Sequence, residues 1–125
     1  MDVPDIESQI RRAFGSRAGA RPFGTIEWIA DRGPASAEMS AALAVFDPDS
    51  SNAEHVHPNS EELIYVLEGE IEHTLGDQST ILRAGDLFVA PRHVPHRLVN
   101  RSGAPCRMLI VFPTAAREFV ETGRS

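Results

Sequence analysis

The chain has 125 residues, 12 of them Arg or Lys and 18 Asp or Glu, for a formal net charge of −6. That length suits one domain with a real core, and 42% hydrophobic with 24% charged residues excludes wholesale disorder. The acidic balance argues against nucleic acid or an anionic membrane surface as a partner, and no apolar run approaches the ~20 residues of a membrane-spanning helix.

In chain order, Ile6, Ile10 and Phe14 recur at four-residue spacing and predict a short helix or arm within residues 1–22, packed on the body. Gly15, Gly19 and Pro22 end it, and residues 23–125 form a single domain. Strands are predicted over 25–30, closed by Asp31-Arg32-Gly33-Pro34, and over 38–46, closed by Asp47-Pro48-Asp49. Further strands follow over 62–67, 70–75, 79–83, 86–90, 97–100 and 107–112, with turns at Gly76-Asp77 and Ala84-Gly85. Short strands with turns every 8–12 residues indicate an all-β sandwich or barrel. Residues 114–122, carrying Phe119 and Val120, predict a closing helix.

The chemistry gathers in one stretch. All five histidines, His55, His57, His73, His93 and His96, lie between positions 55 and 96. On an extended strand His55 and His57 point to the same face, half of a site for Fe, Zn, Ni, Cu or Mn. An isolated pair of this kind is more often two exposed strand residues, but this pair is not isolated. Glu62 opens the next strand on the face shared by Ile64 and Val66, where a carboxylate is costly unless paired or metal-bound. His96 opens a strand whose inward face is His96, Leu98 and Asn100.

His55-x-His57, four residues, Glu62, six residues and Gly69 resemble the first motif of the cupin superfamily. Gly85, five residues, Pro91, then His96, three residues and Asn100 resemble the second, about 15 residues further on, as in compact bacterial monocupins. The resemblance covers roughly positions 40–113. Two glycines expected by the motifs are replaced, one by Asp49 and one by His93. The resemblance implies a jelly-roll barrel of the double-stranded β-helix type, one divalent metal ion per chain held by His55, His57, Glu62 and His96, and a homodimer. Three imidazoles and a carboxylate suit Fe, Mn, Ni, Zn or Cu and leave coordination positions open, which marks a working metal. The spacing to Gly69 selects Glu62, which could also act as a catalytic base, and leaves Glu61 facing solvent.

The other candidates weigh towards structural roles. His73, between Ile71 and Leu75, reads as a satisfied core histidine before a ligand or a substrate contact. His93 and Arg92 read as loop residues on the solvent side, with a proton shuttle or an anion contact as their functional alternatives. Leu63, Tyr65 and Leu67 face away from the metal motif, Glu70 and Glu72 form a charged face, and Trp28 is a packing or dimer residue. The single cysteine, Cys106, reads as a buried small hydrophobe and excludes an intrachain disulfide. All twelve basic residues are arginine, which excludes lysine Schiff-base chemistry and a P-loop lysine, and no G-x-S-x-G supports a serine hydrolase. The N-terminus, Met1-Asp2-Val3-Pro4-Asp5, lacks the features of a signal peptide and points to the cytoplasm. The function expected is a metal-dependent oxygenase acting on a small organic molecule. A metal-dependent isomerase or cyclase and a non-catalytic ligand-binding module are the alternatives.

Overall fold

The computed structural model describes residues 3–12, 18–31 and 38–124. After a four-residue 3-10 helix, Ile6–Gln9, the described chain is built of strands. In order they are β1 (Gly19–Arg21), β2 (Gly24–Ala30), β3 (Ser40–Phe46), β4 (Ser50–Ser51), β5 (His55–Val56) and β6 (Glu62–Glu68). There follow β7 (Glu70–Leu75), β8 (Gln78–Arg83), β9 (Leu87–Ala90), β10 (His96–Asn100), β11 (Cys106–Phe112) and β12 (Val120–Glu121). One sheet runs β1-β2-β3-β11-β6-β9 and the other β12-β5-β10-β7-β8, with β4 also paired to β10. Every pairing is antiparallel. This is the jelly-roll barrel that the motif order implied.

Period-two patterning explains which faces meet. In β3 Ser40, Ala42, Ala44 and Phe46 are buried, in β6 Glu62, Ile64 and Val66, and in β11 Cys106, Met108, Ile110 and Phe112. Their inner faces form the core with Ile71, Leu82 and Leu98 from the second sheet. Cys106 is fully buried, and that burial pushes its thiol up to about 11, so it behaves as a small hydrophobe. Asn100 is buried too, but its side chain holds a turn: Nδ2 donates to the carbonyls of Phe46 and Ala104, and Oδ1 accepts from the Ser102 N–H.

Two glycines of the motifs answer to geometry. Gly69 has φ +85° and lies so near Pro105 that a Cβ would stand 2.6 Å from its carbonyl oxygen. Gly85 turns the chain at φ +93° between β8 and β9. At the two positions where the motifs would have glycine, Asp49 has φ +56° and His93 φ +70°, so the left-handed backbone is kept without the residue that best tolerates it. Both side chains are exposed. His93→Gly is expected to raise stability by up to about 1 kcal/mol, since relief of the αL strain exceeds the added chain entropy. Asp49→Gly should gain less, because Asp tolerates αL better. Urea midpoints of the two variants check this, and a loss of stability in His93→Gly would contradict it.

Of the two N-terminal options the arm is what forms, and the closing helix does not form. At the N-terminus helical structure ends at Gln9, Ile10 is extended, Ile6 is 74% exposed, and Phe14 lies outside the described residues. A turn this short needs packing to grow, and no residue of it is buried. The arm is tied to the body by an Arg11–Asp31 ion pair at 3.1 Å and by β1, which pairs with β2. Over 114–122 no helix forms. Asn59 claims the backbone there, donating to the Ala116 carbonyl (3.0 Å) and accepting from the Glu118 N–H (2.8 Å), after which Val120 and Glu121 pair with β5. No described helix is long and apolar enough to cross a membrane.

Candidate metal centre

Strand register brings the first two histidines together. His96 of β10 pairs directly with His55 of β5, and their ring centroids are 4.3 Å apart. His57 follows β5, and its loop is clamped to the second motif by the His93 N–H donating to the His57 carbonyl (3.2 Å). Glu62 enters from the other sheet at the start of β6. All four side chains are buried, and one ligand atom from each lies within 4.8 Å of all the others. Glu61 is exposed, as the spacing required.

Each imidazole is held through its Nδ1. His55 bonds the Ala53 carbonyl (2.8 Å), His57 the Glu118 carbonyl (2.8 Å) and His96 the Val94 carbonyl (3.1 Å). A carbonyl only accepts, so Nδ1 carries the proton in all three and the Nε2 lone pair is left to the centre. His57 Nε2 is buried with no hydrogen-bond partner among the described residues. His96 Nε2 faces Glu62 Oε1 at 2.9 Å, and His57 Nε2 faces the same oxygen at 3.5 Å. Lone pairs that converge on a buried carboxylate require positive charge between them, either a proton or a metal ion. The donor set fits a borderline divalent ion.

The ionisation pattern follows from the same contacts. Burial alone would raise the Glu62 carboxyl, but the approach of His57 at 3.5 Å and the bond with His96 at 2.9 Å outweigh this and hold it well below the usual carboxylate range. For His96 burial also opposes charge, yet the bond to Glu62 and its negative charge raise the imidazole above 6.5. His55 is lowered to about 4, first by burial and then by the charge of His96.

His73 is a core residue, as its alternating strand suggested, and stands outside the four-residue cluster. It is not a satisfied one: neither ring nitrogen has a partner among the described residues. It packs on Phe88 (4.0 Å between centroids) and lies nearly parallel to His96 (5.8 Å, 13°). Its pKa too falls to about 4, through burial and then the charge of His96. His93 and Arg92 are exposed on their loop.

The signs of these shifts predict the acid response. A histidine depressed to about 4 contributes stability that is present above 6.5 and lost as pH falls towards 4. His55 and His73 each contribute at most about 3 kcal/mol this way. His96, raised, works in the opposite direction, its share being present below 6.5 and lost as pH rises through its higher value. Two groups outweigh one, and protons also compete with a metal for Nε2. Thermal midpoints should therefore fall between pH 6.5 and 4, with metal released in the same window. Stoichiometric metal after dialysis against a chelator at pH 4 would contradict this.

A cavity of about 640 Å³ opens above the cluster. Its wall is largely apolar, with Phe23, Phe46, Leu98, Ile110, Phe112 and Phe119 among the residues that line it. Phe119 stacks on His55 (4.5 Å, 24°) and Phe112 meets His57 edge-on (5.0 Å). Arg117 also lines the cavity, a residue with no motif around it, brought there by long-range pairing of the C-terminal segment.

A family model described as Cupin domain matches residues 42–112, which is more than half of the chain. The chain belongs to the cupin family. Among curated relatives this cupin is 33% identical over 109 residues to polyketide synthase CurC of Streptomyces cyaneus, covering 87% of its own length and 65% of CurC. Among solved structures it is similar to an oxalate oxidase (TM-score 0.73, 26% identity, 87% of this chain and 63% of that one). It also shares the fold of Lactobacillus farciminis oxalate decarboxylase in a formate complex (TM-score 0.77, 23% identity, 84% of this chain and 33% of that one). The chain thus spans less than two thirds of each of these relatives.

Proposed function

We propose that this cupin is a metal-dependent oxygenase of a small organic substrate, with one divalent ion per chain on His55, His57, Glu62 and His96. The observation that carries the reading is the convergence of three Nε2 atoms, each fixed by an Nδ1 bond to a backbone carbonyl, and one carboxylate at an apolar cavity of about 640 Å³. A redox-active ion held there would supply Lewis acidity and electron exchange with dioxygen, the oxidant. The protein's own groups do the rest. The carbonyl anchors keep the imidazoles in one tautomer. Phe112 and Phe119 shield the histidines from water. Glu62 Oε1, already in hydrogen-bond reach of His96, takes a proton from an acidic C–H or O–H of the substrate. The likeness to an oxalate oxidase supports redox chemistry on an oxygen-rich organic molecule.

The test is metal analysis of protein purified without a chelating tag, followed by oxygen uptake with a panel of enolisable diketones and enediols. The expected result is about one redox-active ion per chain and uptake that stops on chelation. Turnover with zinc under anaerobic conditions would replace the oxygenase by an isomerase or cyclase. Ligand affinity with no product would leave a binding module.

We also propose a homodimer in the cytoplasm, in keeping with the lone buried cysteine. Edge strands β8 and β9 expose Ile81, Leu87 and Val89, apolar area suited to a second copy. Light scattering at micromolar concentration should give about twice the 13.7 kDa of one chain, and a mass near 13.7 kDa would overturn the dimer.

A further inference from the structure

The cavity holds cationic groups that the metal centre does not use. In a chain of net charge −6, Arg21 and Arg117 line the same space as the three imidazoles and Glu62. Several other arginines are matched to carboxylates: Arg11 to Asp31, Arg83 to Glu70, Arg101 to Glu72, Arg107 to Glu68. Arg117, half-buried, has neither an ion pair nor a hydrogen-bond acceptor for its side chain among the described residues. Its guanidinium carbon lies 4.9 Å from the Phe112 ring centroid, 5.1 Å from Trp28 and 5.6 Å from Phe119. Ring contacts of this kind stabilise the charge but give its N–H donors no oxygen to bind. Burial lowers its pKa, the mark of a cation short of water.

The backbone on both sides of Arg117 is pinned. Asn59 bonds the Ala116 carbonyl and the Glu118 N–H, and the Glu118 carbonyl is the anchor of His57 Nδ1. An anion seated on Arg117 is therefore held in fixed relation to His57.

We infer that Arg117 is the anion-binding residue of this cavity and that the substrate is a carboxylate with a flat, apolar body. The planar guanidinium fork matches a carboxylate in two parallel hydrogen bonds. Glu62 and Glu121 line the same cavity and weigh against a more highly charged phosphate ester. A volume of about 640 Å³ belongs to ligands well above a two-carbon acid, since pockets of roughly 300–1,000 Å³ take drug-sized molecules. The apolar body would lie along Phe112 and Phe119 while the metal faces its other end. This rests on the proposed function only in taking the cavity as the substrate site.

The experiment uses 1-naphthoate and its uncharged isostere 1-naphthamide. Calorimetry is run on metal-free and zinc-loaded protein, with quenching of Trp28, the single tryptophan, as a second signal. Naphthoate should bind wild type at least tenfold more tightly than naphthamide, with or without zinc. Arg117→Met should lose tenfold or more for naphthoate and nothing for naphthamide, and Arg117→Lys should fall between. Thermal midpoint and zinc stoichiometry confirm that each variant folds. Should Arg117→Met fail to fold, the probe ratio in wild type and in Arg117→Lys decides. Equal affinity for the two probes, undiminished naphthoate binding in Arg117→Met, or no naphthoate binding to wild type at millimolar concentration would overturn the inference. The metal-free arm separates it from the metal centre: a chain that takes no metal but binds naphthoate through Arg117 sinks the oxygenase and leaves this site standing.

Discussion

Replacing His96 by alanine is expected to reduce metal affinity by two to three orders of magnitude and to leave purified protein with less than a tenth of an ion per chain. Structural zinc sites of about 10–16 kcal/mol, spread over four ligands, give about 2.5–4 kcal/mol for each. His96 should be the most damaging of the three imidazoles, because it also serves the metal-free protein. Its Nε2 stands 2.9 Å from Glu62 Oε1, and together with His57 it offsets the burial that would otherwise raise the carboxyl. Without it Glu62 keeps only the 3.5 Å approach of His57. The carboxyl must then take up a proton or remain an uncompensated buried charge, at a cost of about 3–5 kcal/mol. So His96→Ala should lower the thermal midpoint even after metal has been stripped from both proteins, which His55→Ala should do less. The control is His93→Ala, three residues away and exposed, which should retain a full complement of metal. Metal analysis and scanning calorimetry on the three variants check this. Normal occupancy in His96→Ala would remove the cluster from consideration as a metal centre.

What could be read from the residues, and what could not, divides along physical lines. Strands β6, β7 and β11 announce themselves as short apolar or alternating runs bounded by turns, along which every second residue is buried, and β10 follows from the face shared by His96, Leu98 and Asn100. The same alternation put Glu62 on the Ile64 and Val66 face and Glu61 outside it. β1, β4, β5 and β12 are two or three residues long, too short for any periodicity, and exist because a distant partner supplies the ladder. The closing helix over 114–122 fails for the same reason: Asn59, more than fifty residues earlier, satisfies backbone groups that a helix would have used itself. Nothing local in the sequence distinguishes Arg117 from a surface arginine. Pairing of β12 with β5 and the bonds of Asn59 and His57 to residues 116 and 118 bring its segment to the cavity. The two missing motif glycines are visible in the sequence as departures, but residue type alone does not show that Asp49 and His93 keep the left-handed backbone.

Glu62→Gln should separate holding a metal from using it. The amide retains one oxygen at the right reach, so occupancy should drop only modestly, by about tenfold in affinity, since three imidazoles on fixed carbonyl anchors remain. Turnover should fall much further, by about 10²–10⁴, because an amide oxygen cannot take a proton from substrate as a carboxylate can. The metal-free protein gives an independent signal. His96 is raised above its ordinary value by the bond and charge of Glu62, working against burial, so loss of that charge should bring its titration down. The neighbouring residue supplies the comparison. Glu61 is exposed one position earlier, where its side chain faces away from the cluster, and Glu61→Gln should leave metal content, turnover and the His96 titration unchanged. Equal, modest losses of occupancy and turnover in Glu62→Gln would make the carboxylate a ligand with no part in proton transfer. Loss of metal in Glu61→Gln with normal binding in Glu62→Gln would mean that the wrong glutamate had been placed in the barrel.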